Sequence, residues 1–314
     1  VKKIVSVKTI SRAEWLEYRR RGIGGSDAAA VVGLNPYKSE LALWADKQGK
    51  LPEVEDNESM RTGRDLEDYV ARRWCEATGR RVHRNNYMCA HDDYDFILAD
   101  IDREVVGENA GLECKTTSAY NRADIEDGKV PITYQVQCYH YMNVMGYDRM
   151  YLAVLVLGVG FYSFVIERNN GEQNALLRAE VDWWGKHMVQ GAEPTADGSD
   201  SAGDAIMALH GTCTSEDHVI LHDMYTDFER MDEIKTAIKD LEREESEIKQ
   251  EAQQRMGACA YADAGKYRIT WTPQSRTSID GRRLEKEHPD IYRAYSATTT
   301  SRIFKAKIIK GERL

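Results

Sequence analysis

Glu113 and Lys115 stand two residues apart in the run 110–117, Ala-Gly-Leu-Glu-Cys-Lys-Thr-Thr. Small and apolar residues lead into this run and threonines lead out, the signature of a short strand. Successive strand side chains point to opposite faces, so the carboxylate and the ammonium share one face. A carboxylate there can hold a divalent metal ion. The ammonium can orient or activate a water, or neutralise charge growing on a phosphate. Asp102 supplies a second acid. Gly107, Asn109 and Gly111 lie between as turn residues, so Asp102 and Glu113 are expected to meet across a β-hairpin. On its own a Glu-x-Lys pair is ordinarily a solvated strand-edge pair, and its weight comes from the flanking elements.

Those elements read in order. Ser11-Arg-Ala-Glu14 has capping-box spacing and opens a helix through Arg21. Gly22-Ile-Gly-Gly-Ser-Asp27 follows, with Ser26 expected to cap a small-residue helix. Free N–H groups there, just after Arg19, Arg20 and Arg21, make an anion site, and a simple tight turn is the plainer alternative. Helices are expected over 39–49 and 57–79, the second with Leu66, Tyr69, Val70 and Trp74 at helical spacing and Glu67 beside them. Strands are expected over 81–88, 94–98, 102–106 and 111–116. A helix beginning near Pro131 carries Gln135 and Tyr139 on one face and His140 as a packing residue. Strands over 150–157 and 160–166 and a helix over 171–190 complete an α/β core with a mixed sheet.

Beyond a Gly/Ala/Ser/Pro-rich linker at 191–204, residues 216–256 form one long helical pattern, a helical arm or coiled coil. A strand at 267–272, a helix around 280–295 and a strand at 301–309 end the chain. The expected division is 1–208, 209–260 and 261–314.

With 314 residues, 42% hydrophobic and 30% charged, the chain is long enough for a real core and ordinary for a globular protein. No apolar run approaches the ~20 residues of a membrane span. No signal-peptide pattern is present, so a cytoplasmic setting is expected. None of the six cysteines is paired at C-x-x-C spacing, which argues against a zinc ribbon and leaves buried thiols. The net charge of −9 hides an asymmetry: residues 266–314 hold twelve Lys or Arg against five Asp or Glu. A basic stretch interleaved with aromatics suits nucleic acid, or else a small subdomain with its rings in a core.

Asp102-x(10)-Glu113-x-Lys115 resembles the PD-(D/E)xK nuclease pattern. Together with Trp15-x-x-x-Arg19, Gly22 to Asp27, Gly33-Leu-Asn-Pro-Tyr-Lys38, Gly63 to Glu67 and Gln135-Val-Gln-x-Tyr139, it closely resembles the YqaJ-type viral recombinases, relatives of phage lambda exonuclease, over about residues 10–190. The resemblance implies a restriction-endonuclease-like core with helices flanking a mixed sheet. It implies a 5′→3′ exonuclease on linear double-stranded DNA that uses Mg²⁺, two ions per site, with Mn²⁺ as a substitute. Asp102 and Glu113 would be metal ligands, with the Cys114 carbonyl and Glu67 as further candidates. Lys115 would position the water, Arg19 and Ser26 would grip a 5′ phosphate, and Gln135 and Tyr139 would face the DNA. A ring-shaped oligomer, such as a trimer, and a single-strand annealing partner are implied as well. Asp100 competes with Asp102 for the acid's place. The rival readings are an endonuclease on the same fold and an inactive DNA-binding scaffold. The long helix and basic extension after residue 208 lie outside the resemblance.

Overall fold

The computed structural model describes residues 1–53, 56–212, 219–297 and 303–306, and the chain divides into two units, Val1–Gly211 and Thr212–Leu314. The first unit begins with β1 (Lys2–Ser6), α1 (Arg12–Arg20), α2 (Gly25–Val31), α3 (Glu40–Lys47) and α4 (Glu58–Thr78). It continues with β2 (Val82–Arg84), β3 (Tyr87–Ala90), β4 (Leu98–Ala99), β5 (Arg103–Val105) and β6 (Ala110–Thr117). Then follow α5 (Arg122–Glu126), α6 (Ile132–Met145), β7 (Arg149–Val156), β8 (Gly160–Glu167), α7 (Asn170–Trp183) and α8 (Asp200–His210).

The central sheet has the order β2-β5-β6-β7-β8, with β6 and β7 parallel and all other pairs antiparallel. It is therefore mixed. A smaller antiparallel sheet, β1-β3-β4, stands beside it. Strand alternation divides the core. Leu112, Tyr151 and Ala153 pack with Val70, Ala71 and Trp74 of α4, whereas Met150, Leu152 and Val154 pack with Val136, Cys138 and Met142 of α6. Glu113 and Lys115 alternate with Leu112, so they lie on the α6 side. Arg103 is paired with Leu112 and lies on the α4 side.

Local chemistry explains the boundaries. Ser11 and Glu14 form the expected capping box, Ser39 and Asn57 cap α3 and α4 through their side chains, and Gly79 ends α4 at φ 70°. Several expectations need correction. Gly24, not Ser26, is the cap of α2, because Asp27 already bonds the Gly24 N–H and Ser26 lies inside the helix. The strand expected over 81–88 is two strands in different sheets, broken where the Asn85 side chain accepts from the Tyr87 N–H. Of 94–98 only Leu98 reaches a ladder, since Tyr94 and Ile97 close a turn. The helix expected over 171–190 passes into a π-helical turn, Trp184–Val189. Residues 200–204 are not linker: they begin α8, whose buried Ala202 and Ala205 allow close packing on α3.

In the second unit, α9 (Tyr225–Met256) is the long helix, shorter than the expected 216–256, of which 216–218 lie outside the described residues. The hairpin of β9 (Tyr261–Ala264) and β10 (Tyr267–Thr270) contains the expected strand and one more. The single helix expected near 280–295 is two, α10 (Gly281–Glu287) and α11 (Pro289–Tyr295), because Pro289 starts a new helix. Residues 303–306 are not strand, and the rest of the strand expected at 301–309 lies outside the described residues.

Candidate active site

β5 and β6 form the expected hairpin. Arg103 pairs with Leu112, so Asp102 and Glu113 sit one residue beyond that pair. The Cys114 backbone N–H donates to Asp102 Oδ2 at 2.8 Å, which ties the acid to the strand that carries Glu113. Lys115 Nζ lies 2.7 Å from Glu113 Oε1. The same oxygen accepts from Gln137 Nε2 of α6 at 2.7 Å, and Gln137 also donates to the Tyr141 hydroxyl at 3.0 Å. Glu113 Oε2 is buried and has no hydrogen-bond partner among the described residues. Lys115 further lies 5.3 Å from the Tyr134 ring centroid.

The charges are strongly coupled. Burial, then Glu113 and Glu67, push the Asp102 carboxyl well above the ordinary range. Burial alone would pull Lys115 down, but the charges of Glu113 and Asp102 outweigh it and raise its pKa. The ammonium is thus held charged between two acids.

Other predicted residues are placed differently. Glu67 is engaged: Arg103 Nη1 bonds Glu67 Oε1 and the Asp102 carbonyl, each at 2.6 Å, and Arg103 Nη2 bonds Asp68. Glu67 therefore reaches Asp102 by way of an arginine from the α4 side of the sheet. Asp100, the alternative acid, accepts from Trp15 Nε1 through its Oδ2 at 2.8 Å. Gln135 bonds Tyr139 at 3.0 Å and does not meet Glu113. Gln137 does, and sequence reading missed it. The signal was present, since Gln-x-x-x-Tyr occurs twice in this helix, at Gln135/Tyr139 and Gln137/Tyr141. Arg103 carried no comparable signal. His140 is buried with Nδ1 2.6 Å from Glu180 Oε1 and Nε2 2.7 Å from the Leu98 carbonyl, so it pins the segment leading to Asp102.

A cavity of about 900 Å³ is lined by the basic Arg12, Arg19, Lys38 and Arg64 and the acidic Asp27, Asp46, Glu53 and Asp56, with Trp15 and Ser26 among the rest. Arg19 Nη2 donates to Ser26 Oγ at 2.8 Å and to Asp27 Oδ2 at 3.0 Å. The predicted Arg19 and Ser26 are thus together, and the Trp15–Asp100 bond places the cavity wall two residues from Asp102.

The donors present fit a hard divalent ion. They are oxygens of Asp102 and Glu113, one of which is an orphaned buried acceptor. Among the described residues no three His, Cys, Asp or Glu side chains gather into a ready-made metal set. A Mg²⁺ held by two carboxylates and completed by water and phosphate oxygens matches that composition.

Residues 14–148 match the YqaJ-like viral recombinase domain. The chain is 36% identical over 304 residues to the uncharacterized protein YqaJ of Bacillus subtilis (strain 168), covering 95% of each. The chain belongs to the YqaJ family. Its fold is similar to that of the alkaline exonuclease LHK-Exo of Laribacter hongkongensis in complex with dAMP, with a TM-score of 0.50 and 18% identity over 57% of this chain and 93% of that one. A phage-related exonuclease from Haemophilus somnus 129PT gives a TM-score of 0.44 and 12% identity over 55% of this chain and 96% of that one. The YqaJ-family chain thus shares the fold of LHK-Exo. No helix among its described residues is long and apolar enough to cross a membrane.

Proposed function

We propose that this chain is a Mg²⁺-dependent 5′→3′ exonuclease acting on the ends of linear double-stranded DNA. The observation that carries the reading is the convergence of Asp102, Glu113 and Lys115 at the end of the hairpin, with Glu113 Oε2 buried and unpartnered among the described residues. Asp102 and Glu113 would hold the metal, and Glu67 adds negative charge from behind Arg103. Bound Mg²⁺ would neutralise the scissile phosphate and lower the pKa of the attacking water. Lys115 would hold that water by a hydrogen bond and offset the charge on the phosphate. Gln137 fixes the Glu113 carboxylate against the Tyr141 hydroxyl, so the acid is held before substrate arrives. Arg19 and Ser26 would receive the terminal 5′ phosphate, which sets where cutting starts. In this reading the chain works as an oligomer beside a single-strand annealing partner in DNA recombination.

The reading predicts that duplex DNA labelled at its 5′ ends loses label first, as mononucleotide, with Mg²⁺ or Mn²⁺ and not with EDTA. Release of a 3′ label first, or hydrolysis unaffected by chelation, would contradict it.

A further inference from the structure

Of the carboxylates that line the cavity, Asp27 is the buried one, and the site as read so far does not use it. Asp27 is 3% exposed, yet its Oδ2 accepts from the Gly24 N–H at 3.1 Å, from Arg19 Nη2 at 3.0 Å and from Lys47 Nζ at 2.6 Å. Lys38 Nζ lies 3.5 Å from its Oδ1. Burial pushes this carboxyl up, but Lys47, Arg19 and Lys38 outweigh it, so Asp27 stays ionised. Lys47 is itself 2% exposed and bonds the Arg19 carbonyl at 2.9 Å. A lysine buried that deeply is not placed to meet substrate. It meets Asp27 and the backbone of Arg19.

Arginine has five N–H donors in a rigid fork, and a lone carboxylate tends to take two of them at once. Here only Nη2 is committed, shared between Asp27 and Ser26, and Arg19 Nε and Nη1 have no hydrogen-bond partner among the described residues. Lys47 occupies the same Asp27 oxygen at the shorter distance.

We propose that Asp27 and Lys47 are positioning residues that set the end-phosphate specificity of the pocket: Asp27 fixes one nitrogen of Arg19, and Lys47 keeps that carboxylate from capturing the rest. The inference rests on the reading of Arg19 and Ser26 as an end-phosphate site. It adds that the site's selectivity depends on a buried ion pair that never touches DNA.

The test uses the full chain in EDTA, so that no hydrolysis occurs. Fluorescence anisotropy measures Kd for blunt duplexes carrying either a 5′ phosphate or a 5′ hydroxyl. The wild type is expected to favour the phosphate, and Arg19→Ala to lose that preference. Lys47→Met and the double variant Asp27→Asn/Lys47→Met should each reduce the Kd ratio at least fivefold. The double variant removes the buried lysine together with its carboxylate and leaves the more exposed Arg19 without an acidic partner, whereas Asp27→Asn alone keeps an acceptor for the Gly24 N–H. One of the three variants therefore reports on the pocket in folded protein, as checked by thermal melting. A role in stability alone would lower the melting temperature and leave the ratio intact, and that result overturns the proposal. Equal binding of both ends by the wild type overturns the end-pocket reading itself, a distinguishable failure.

Discussion

At the residue scale, three groups are expected to divide the work. Glu113→Gln keeps the Gln137 contact geometry but removes the charge, and turnover should fall about 10²–10⁴-fold with duplex binding retained. Gln137→Leu touches no substrate in this account. It should lower kcat about 10- to 100-fold by freeing Glu113, as loss of a ligand's supporting hydrogen bond does elsewhere. Single-turnover rates at saturating enzyme check both. Asp102 gives a pH prediction. Its folded-state pKa is raised, chiefly by burial and then by Glu113, so above the unfolded value the folded chain holds a proton that the unfolded chain releases. Asp102 therefore costs stability as pH rises through that window. Asp102→Asn should melt higher at neutral pH, by about 1.4 kcal/mol for each unit of the shift, while losing hydrolysis. For the same reason metal binding must displace a proton, and the Mg²⁺ activation constant of the wild type should improve as pH rises toward the raised pKa. A pH-independent activation constant, or an Asp102→Asn chain less stable than wild type, contradicts this assignment.

At the element scale, the site depends on α2 and α6 lying close. A Cβ on Gly25 would stand 2.5 Å from Tyr141 Cε1, in the ring whose hydroxyl supports Gln137. Gly25→Ala should cost about 1–3 kcal/mol by overpacking, measured in urea, and should depress kcat as well, because the strain reaches Gln137. A neutral substitution would mean that the helices adjust freely. This scale also shows what was legible in sequence. The cap at Ser11, the helix starts at Ser39 and Asn57 and the turn between β5 and β6 were readable because their signals are local. Strand alternation placed Glu113 and Lys115 on one face. The engagement of Glu67 by Arg103 was not readable, since it joins residues 36 positions apart from opposite elements. The same holds for Lys47, whose burial depends on Asp27 twenty positions away. Gln137 was half-legible: its spacing to a tyrosine was visible, but only the α6 face turned toward β6 selects it over Gln135. The start of α8 was missed because Gly, Ser and Asp favour turns and caps locally, whereas the small Ala202 and Ala205 serve close helix contacts that only the tertiary context reveals.

At the scale of the whole molecule, the two units differ in kind. The first carries the buried core, whereas among the described residues of the second only Met256 is buried. Along α9, Ile234, Ile238, Leu241 and Ile248 remain exposed at spacings of four, three and seven residues. The hydrophobic effect therefore stabilises the first unit far more than the second, and a chain ending after Gly211, which retains α8, should fold and hydrolyse short duplexes. The basic segment from residue 266 onward is the part expected to hold longer DNA, so truncation should weaken binding to long duplexes and make its salt dependence shallower. An unchanged salt slope would remove the second unit from DNA binding.

The end pocket and the metal-site acids meet in one claim, that cutting starts at DNA ends and runs through Asp102, Glu113 and Lys115. The most direct measurement follows a linear duplex and its covalently closed circular form, in one Mg²⁺ reaction, with wild type and Glu113→Gln. Wild type is expected to degrade the linear form to mononucleotides and leave the circle intact, and Glu113→Gln to degrade neither. Wild-type cutting of the closed circle at a comparable rate, or Glu113→Gln hydrolysis at the wild-type rate, would contradict it.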